Sequence, residues 1–215
     1  MYAKKNSGNK LTMVLVAIIL VLCCTIGGTL AWLKDTTGTV TNTFTMGDVD
    51  IKITETGVDA NGNKDSYKIV PGKTESKDPT VTVLANSEKS WVFVEIVESN
   101  NHIKNGETYT TDTYVKWSVD ATWKLLSKTS DTGADTVTYV YYLVQDATTS
   151  DVPHNVLSGN SVSYSSDLTK AQLDALGSNK PTLSFKAYAI QYEYLTKDNT
   201  PVTEAKAAWE LAKDS

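Results

Sequence analysis

Two stretches are apolar at nearly every position, and they constrain the fold more than any other feature. They run from Trp91 to Val97 and from Val137 to Val144, the second rich in tyrosine. Successive side chains of a strand point to opposite faces, so each stretch would present apolar groups on both faces. Each is therefore predicted to be a central strand that other parts of the protein cover on both sides.

The composition around these stretches favours further strands. Thr, Val and Tyr dominate from Thr36 to Tyr194, and turn signals such as Pro71-Gly72 and Asn105-Gly106 recur about every ten residues. Leu183 to Tyr194 alternates two sets of apolar residues and predicts another long strand. Trp123 and Leu125 are expected to continue one buried face beyond a break.

Two segments have helical rather than strand spacing. Asp167 to Leu176 places leucines at near-helical intervals before Gly177, which is expected to end the helix. Thr203 to Lys213 is rich in alanine, and Ala207, Ala208 and Leu211 are predicted to share its buried side. The fold class is therefore predicted to be all-β: an antiparallel β-sandwich of jelly-roll type with one or two short helices, preceded by a signal-peptide helix.

The N-terminus has the pattern of an export signal. Lys4, Lys5 and Lys10 precede an apolar run from Leu11 to Ile26, and Thr29-Leu30-Ala31 supplies small residues for cleavage before Trp32. Residues 1–31 are thus predicted to be a signal peptide that is cut between Ala31 and Trp32. The alternative is an uncleaved membrane anchor, and both options place the remaining chain outside the cytoplasm.

Charge and cysteine content exclude several classes of protein. All 20 basic residues are Lys, and removing three of them with the leader makes the net charge more negative than −5. An acidic surface without Arg argues against binding to nucleic acid. Both cysteines, Cys23 and Cys24, lie in the leader, so the exported part would have no disulfide, cysteine–zinc site or thiol nucleophile.

The alternation of apolar residues changes phase at Gly47. Val40, Phe44 and Met46 have even numbers, whereas Val49 and the isoleucines after it have odd numbers. A single regular strand cannot do this, because its side chains alternate with period two. Gly47 is therefore predicted to separate two strands, which need not belong to the same sheet or even to the same molecule.

The residues on either side of this point resemble a known family. Gly27 to Asp35, followed by Asn42 to Ile51, is similar to the start of the TasA/camelysin family of secreted proteins from Gram-positive bacteria. Val70-Pro71-Gly72-Lys73, Asn86-Ser87 and Trp91 to Val94 resemble a second part of the family pattern. The resemblance covers roughly the first half of the chain.

The resemblance implies a jelly-roll subunit of extracellular biofilm fibres that is exported by a dedicated signal peptidase. In such fibres the N-terminal segment of one subunit completes a sheet of the next. Carried onto this chain, residues 32–46 would be the donor strand, with Val40, Phe44 and Met46 facing inward, and residues 47–215 the jelly-roll domain. The partners would be like subunits or a related fibre protein. The alternative is that Val40 to Met46 pairs within its own domain.

The sequence gives less support to a peptidase site, a calcium site or a sugar-binding site. His102 and His154 are the only histidines and are predicted to be solvated loop residues, without the His-Glu-x-x-His pattern of a zinc peptidase. Asp59, Asn61, Asn63 and Asp65 have the spacing of a calcium loop but lack its later glycine and glutamate, so a solvated hairpin is preferred. A sugar-binding platform on strand tyrosines is the weakest alternative, because packing is the ordinary explanation of such residues: Tyr139, Tyr141, Tyr188, Tyr192 and Tyr194.

We therefore expect a protein that is not an enzyme, needs no cofactor or metal, and is secreted to the matrix or cell surface as a structural fibre subunit. It would contact the membrane only through its leader. Two alternatives remain open. One is a monomeric surface or matrix accessory module that binds matrix polymers or the main fibre protein. The other is a camelysin-like peptidase.

Overall fold

The computed structural model describes residues 48–57, 68–106, 108–193 and 202–214. All of them belong to one unit of the chain. Within these residues there are twelve strands and two α-helices. The strands are β1 (Ile51–Thr54), β2 (Thr74–Ser76), β3 (Thr80–Val83), β4 (Ser90–Ser99), β5 (His102–Asn105), β6 (Thr108–Thr113), β7 (Val115–Lys116), β8 (Lys124–Asp131), β9 (Thr136–Gln145), β10 (Val152–Asn155), β11 (Ser161–Tyr164) and β12 (Thr182–Gln191). The helices are α1 (Lys170–Ala175) and α2 (Ala205–Ala212).

The largest sheet is antiparallel and has four strands in the order β12-β4-β9-β8. All ten residues of β4 pair with β12 on one side and with β9 on the other. The prediction of two central strands is therefore confirmed, because β4 contains Trp91 to Val97 and β9 contains Val137 to Val144. Every other paired set of described strands is antiparallel too, so the fold is all-β and antiparallel.

One face of the large sheet forms a core with the sheet β1-β3-β10. Val92, Val94 and Ile96 of β4 are fully buried against Val81 and Val83 of β3. These four valines and one isoleucine occupy alternate positions of their strands, where branched side chains pack well on a pleated surface. We call this face of the large sheet the inner face.

The opposite, outer face of the large sheet is covered by α2. Trp91 and Phe93, on the other side of β4, pack with Ala208 and Trp209 of the helix. The predicted helix is confirmed, but the prediction of its buried side is wrong in one position, since Ala207 is exposed. Among neighbouring alanines the sequence offers little contrast, and the nearby Trp209 determines which side of the helix faces the sheet.

A third core lies at the small sheet β2-β11-β7. Tyr114 and Tyr164 pack there with Ile103 of the β5–β6 hairpin and with Leu168 and Leu176 on either side of α1. The helix begins with a reciprocal cap between Thr169 and Gln172. It ends before Gly177, whose φ of 50° is left-handed, so the predicted stop is confirmed.

The predicted buried face at Trp123 and Leu125 is only half correct. Trp123 is 5% exposed, whereas Leu125 is 55% exposed. The register between β8 and β9 shifts between Leu125 and Ser127, and Leu126 packs in the core under α2. A bulge adds a residue to one strand and changes which side chains face inward, which alternation along the sequence cannot show.

The predicted sites at the N-terminus lie outside the described residues. These are the cleavage residues Ala31 and Trp32 and the donor residues Val40, Phe44 and Met46. The loop from Asp59 to Asp65 lies outside them as well. Within the described ranges, no helix has the length and apolar character needed to cross a membrane.

Candidate functional site

The two edges of the large sheet are β8 and β12. Among the described strands, β8 pairs only with β9, and β12 pairs only with β4. An edge strand presents a row of backbone N–H and C=O groups that can pair with another chain, so each edge is a candidate assembly site. The two edges differ in how well their sequences oppose such pairing.

The β8 edge has the features of a protected edge. It contains Lys124 and Lys128, nearly all of its residues are exposed, and it carries the bulge next to Leu125. Lysines keep a strand edge solvated and a bulge breaks the regular spacing of its hydrogen-bonding groups. A further strand would therefore find a poor template along β8.

The β12 edge has fewer of these protections. It carries one lysine, Lys186, but its ten residues contain neither Pro nor Gly, and its pairing with β4 runs without a register shift. Leu183 and Phe185 pack on the inner core, while Tyr188 and Ile190 pack on the outer core. A strand added beside β12 could therefore extend both cores at once, with its alternate side chains on the two faces.

The inner side of this edge is bordered by β1. Cα atoms of β1 and β12 approach within 8 Å, but the two strands belong to different sheets. Just beyond β1, the Nζ atom of Lys77 lies 3.0 Å from Glu55 Oε2 and 5.1 Å from the centre of the Phe185 ring. The ion pair is largely buried, with 11% and 13% of the two side chains exposed. A strand that joins β12 would therefore contact side chains that this ion pair already holds in place.

Both histidines lie in strands rather than in solvated loops, so that prediction is wrong. His102 begins β5, and its Nδ1–H donates to Asp135 Oδ1 at 2.7 Å. His154 lies in β10, with Nε2 at 2.9 Å from Gln145 Oε1. Burial lowers the pKa of His154 below its ordinary value. Partners 33 and 9 residues away in the chain create these environments, and local sequence carries no signal for them.

The His102–Asp135 pair could orient an imidazole as a general base. The described residues that line the cleft around this pair include no Ser, Thr or Cys to act as a nucleophile. Nor do the described parts of the chain contain a group of three or more His, Cys, Asp and Glu that could hold a metal ion.

Of the tyrosines predicted to lie on strands, those that the structure describes take part in packing, although Tyr192 lies just beyond the end of β12. Tyr192 stacks on Trp91 with ring centres 4.9 Å apart, and Tyr188 meets Trp209 edge-on. Tyr139 and Tyr141 pack beside the inner core, where burial raises the pKa of Tyr141. Tyr194 lies outside the described residues. These contacts match the ordinary explanation of aromatic residues on sheet faces.

The fold and the edge geometry define an all-β, antiparallel protein in which one edge of the large sheet is long and regular. No protein-family model, no curated protein and no solved structure matches this chain.

Proposed function

We propose that the protein is a secreted structural subunit of extracellular matrix fibres, in which residues 32–46 of one subunit pair with the β12 edge of the next. The body would be a jelly-roll sandwich. The observation that carries the proposal is the β12 edge: ten residues in regular register, without Pro, Gly or a bulge, and flanked by both cores. The resemblance to the TasA/camelysin family and the predicted leader support the same function.

The free energy available from strand addition is of the same order as the cost of association. Each backbone hydrogen bond contributes about 0.5–1.5 kcal/mol net. Burying the side chains of Val40, Phe44 and Met46 contributes roughly 1.5–3 kcal/mol each. About six bonds and these three side chains can together exceed an association cost of about 4–15 kcal/mol. Such donation is head-to-tail, so it produces filaments rather than closed dimers.

Export and cleavage would control when assembly begins. While the leader remains attached, residues 32–46 are tethered to the membrane, and a cut after Ala31 releases them. N-terminal sequencing of the secreted protein tests this step directly. The expected first residue is Trp32, and an intact leader on the mature surface protein would contradict release by cleavage.

Electron microscopy of the secreted protein tests assembly itself. We expect filaments that disappear when residues 32–43 are deleted. Phe44→Asp should prevent assembly because it places a charge on the inward side of the donor, whereas Thr43→Asp, on the opposite side, should leave filaments intact. Monomers at all concentrations of the unchanged protein would favour the accessory module instead.

A complementation assay tests the acceptor. A synthetic peptide of residues 32–46 should bind the variant that lacks residues 32–43, and the Phe44→Asp peptide should not. Amide protection measured by hydrogen exchange should rise in β12 and not in β8. Protection that rises only in β8 would show that the acceptor edge was assigned wrongly.

A further inference from the structure

A polar cleft lies at one end of the large sheet, between the β5–β6 hairpin, the turn before β9 and α1. Its volume is about 300 Å³. This is near the lower end of the range for small-molecule sites, about 300–1,000 Å³. The polar residues that line it and matter here are Asn100, His102, Lys104, Tyr109, Gln172 and Asn179.

The floor of the cleft is fixed by Asp135, which is 4% exposed. One carboxylate oxygen accepts from His102 Nδ1 at 2.7 Å, and the other accepts from the His102 backbone N–H at 3.3 Å. The Asn100 N–H also donates to the Asp135 backbone oxygen at 2.9 Å. The imidazole is therefore held in one orientation, and its Nε2 is the ring nitrogen left for another partner.

The backbone at this floor is unusual. Asn100 has a φ of 55° and Asp135 a φ of 45°, so two residues that are not glycine occupy the left-handed region and are bonded to each other. Asn and Asp tolerate this region better than other residues do. Strained conformations tend to persist where a site requires a fixed geometry, and here both line the same cleft.

Several polar groups of the cleft are not used by the fold. In the described part of the chain, no hydrogen bond occupies His102 Nε2, the Tyr109 hydroxyl, or the side-chain amides of Asn100 and Asn179. These groups include acceptors and donors. The α1 region also contributes small apolar side chains to the lining, those of Ala171, Ala175 and Leu176.

We propose that this cleft binds one pyranose ring of a polysaccharide. A sugar hydroxyl both donates and accepts, which suits unused amide, imidazole and phenol groups, and the C–H face of the ring suits the small apolar side chains of the α1 region. A phosphate or other strong anion is a poorer fit. Lys104 is the one lysine among the described lining residues, and the whole chain has a net charge of −5.

The inference does not rest on fibre assembly, because the cleft uses none of the β12 edge. A fibre subunit with such a cleft would attach matrix polysaccharide along its length, and a monomer would bind it as a single module. Binding of a sugar to the cleft can therefore be measured whether or not filaments form.

Ligand-observed NMR with the methyl glycosides of glucose, galactose, N-acetylglucosamine and glucuronic acid tests the proposal, using the secreted protein. We expect saturable binding of at least one glycoside. Asn179→Ala and Tyr109→Phe each remove an unused group without altering a described side-chain hydrogen bond, and each should weaken binding several-fold. Lys124→Ala, at the end of β8 farther from Asp135, is the matched control and should leave binding unchanged.

Chemical shifts of the His102 ring provide an independent readout. Its Nε2 resonance should move on adding the bound glycoside, while the His154 ring should not respond. The absence of saturable binding by all four glycosides would overturn the proposal. So would binding that Asn179→Ala and Tyr109→Phe leave unchanged, because the sugar would then occupy another surface.

Discussion

Glu98 is 4% exposed although it is an acidic residue at the end of an apolar stretch. Its Oε2 accepts from the Trp117 indole N–H at 2.6 Å, and the Trp117 ring meets Tyr139 edge-on at 5.1 Å. A buried carboxylate is costly unless hydrogen bonds satisfy it. The indole therefore does two things at once, satisfying Glu98 and extending the aromatic side of the inner core.

Replacing Trp117 by Phe should destabilise the protein by about 1–3 kcal/mol, because the aromatic ring remains but the donor to Glu98 is lost. Urea unfolding followed by circular dichroism measures the change. As a control, Glu98→Gln in the Trp117→Phe background should recover part of the loss, since a neutral amide is less costly to bury. Equal stability of Trp117→Phe and the parent would show that water satisfies the carboxylate.

His154 should make the fold sensitive to mild acid. Burial lowers its pKa in the folded state, so the folded protein binds fewer protons than the unfolded chain. Stability is therefore fully present above the unfolded value of about 6.5 and declines as the pH falls through that value towards the lower folded pKa. In thermal unfolding at several pH values, His154→Gln should flatten this decline. A variant with the same pH profile as the parent would contradict it.

At the scale of single elements, the two edge strands of the large sheet differ. β8 carries lysines and a bulge, whereas β12 is regular along ten residues. The helices differ as well. α1 has six residues and depends on its cap, while α2 has eight and depends on packing against the sheet.

Removing the cap of α1 should destabilise it measurably. The Thr169 hydroxyl accepts from the Gln172 N–H at 3.3 Å, and Gln172 Oε1 accepts from the Thr169 N–H at 2.8 Å. Thr169→Ala should cost about 0.5–2 kcal/mol, whereas Thr169→Ser keeps the hydroxyl and should cost little. Chemical denaturation measures both variants. Equal losses in the two would indicate that the threonine methyl group, and not the cap, matters.

Truncating the main contact of α2 should cost more. Trp209 is 9% exposed, and its ring centre lies 5.4 Å from that of Phe93 and 5.0 Å from that of Tyr188. Trp209→Ala should destabilise the protein by about 3–5 kcal/mol. Ala207→Ser, on the exposed side of the same helix, should change stability by about 0.5 kcal/mol or less. A small effect of Trp209→Ala would mean that the outer core does not need the helix.

At the scale of the whole molecule, the net charge would oppose the proposed assembly. The chain has a net charge of −5 and a sequence pI of about 5.1. If the proposed fibres form, subunits that repel one another should assemble faster when salt screens their charge, since the screening length falls to about 8 Å at physiological ionic strength. Light scattering at increasing NaCl concentration measures this, and the variant lacking residues 32–43 is the control. Slower assembly in salt would point to ion pairs across the interface.

Much of the fold followed from the sequence because alternation and turn residues are local signals. The two central strands, the Pro71-Gly72 turn and the helix stop at Gly177 are examples. The predictions that were wrong concern which side chains are buried. Leu125 was misplaced by a bulge, and Ala207 by a helix whose orientation depends on the sheet beneath it. Both depend on partners that lie elsewhere in the chain.

The sequence by itself determined that the chain is rich in strands, where its central strands and helices lie, and that it has an acidic composition. These properties depend on side-chain periodicity and on near neighbours. Only the tertiary structure decided which strands form the edges of the large sheet and that His102 meets Asp135. The reason is physical: an edge exists only after strands have been ordered into a sheet, and a pair 33 residues apart exists only after the chain has folded.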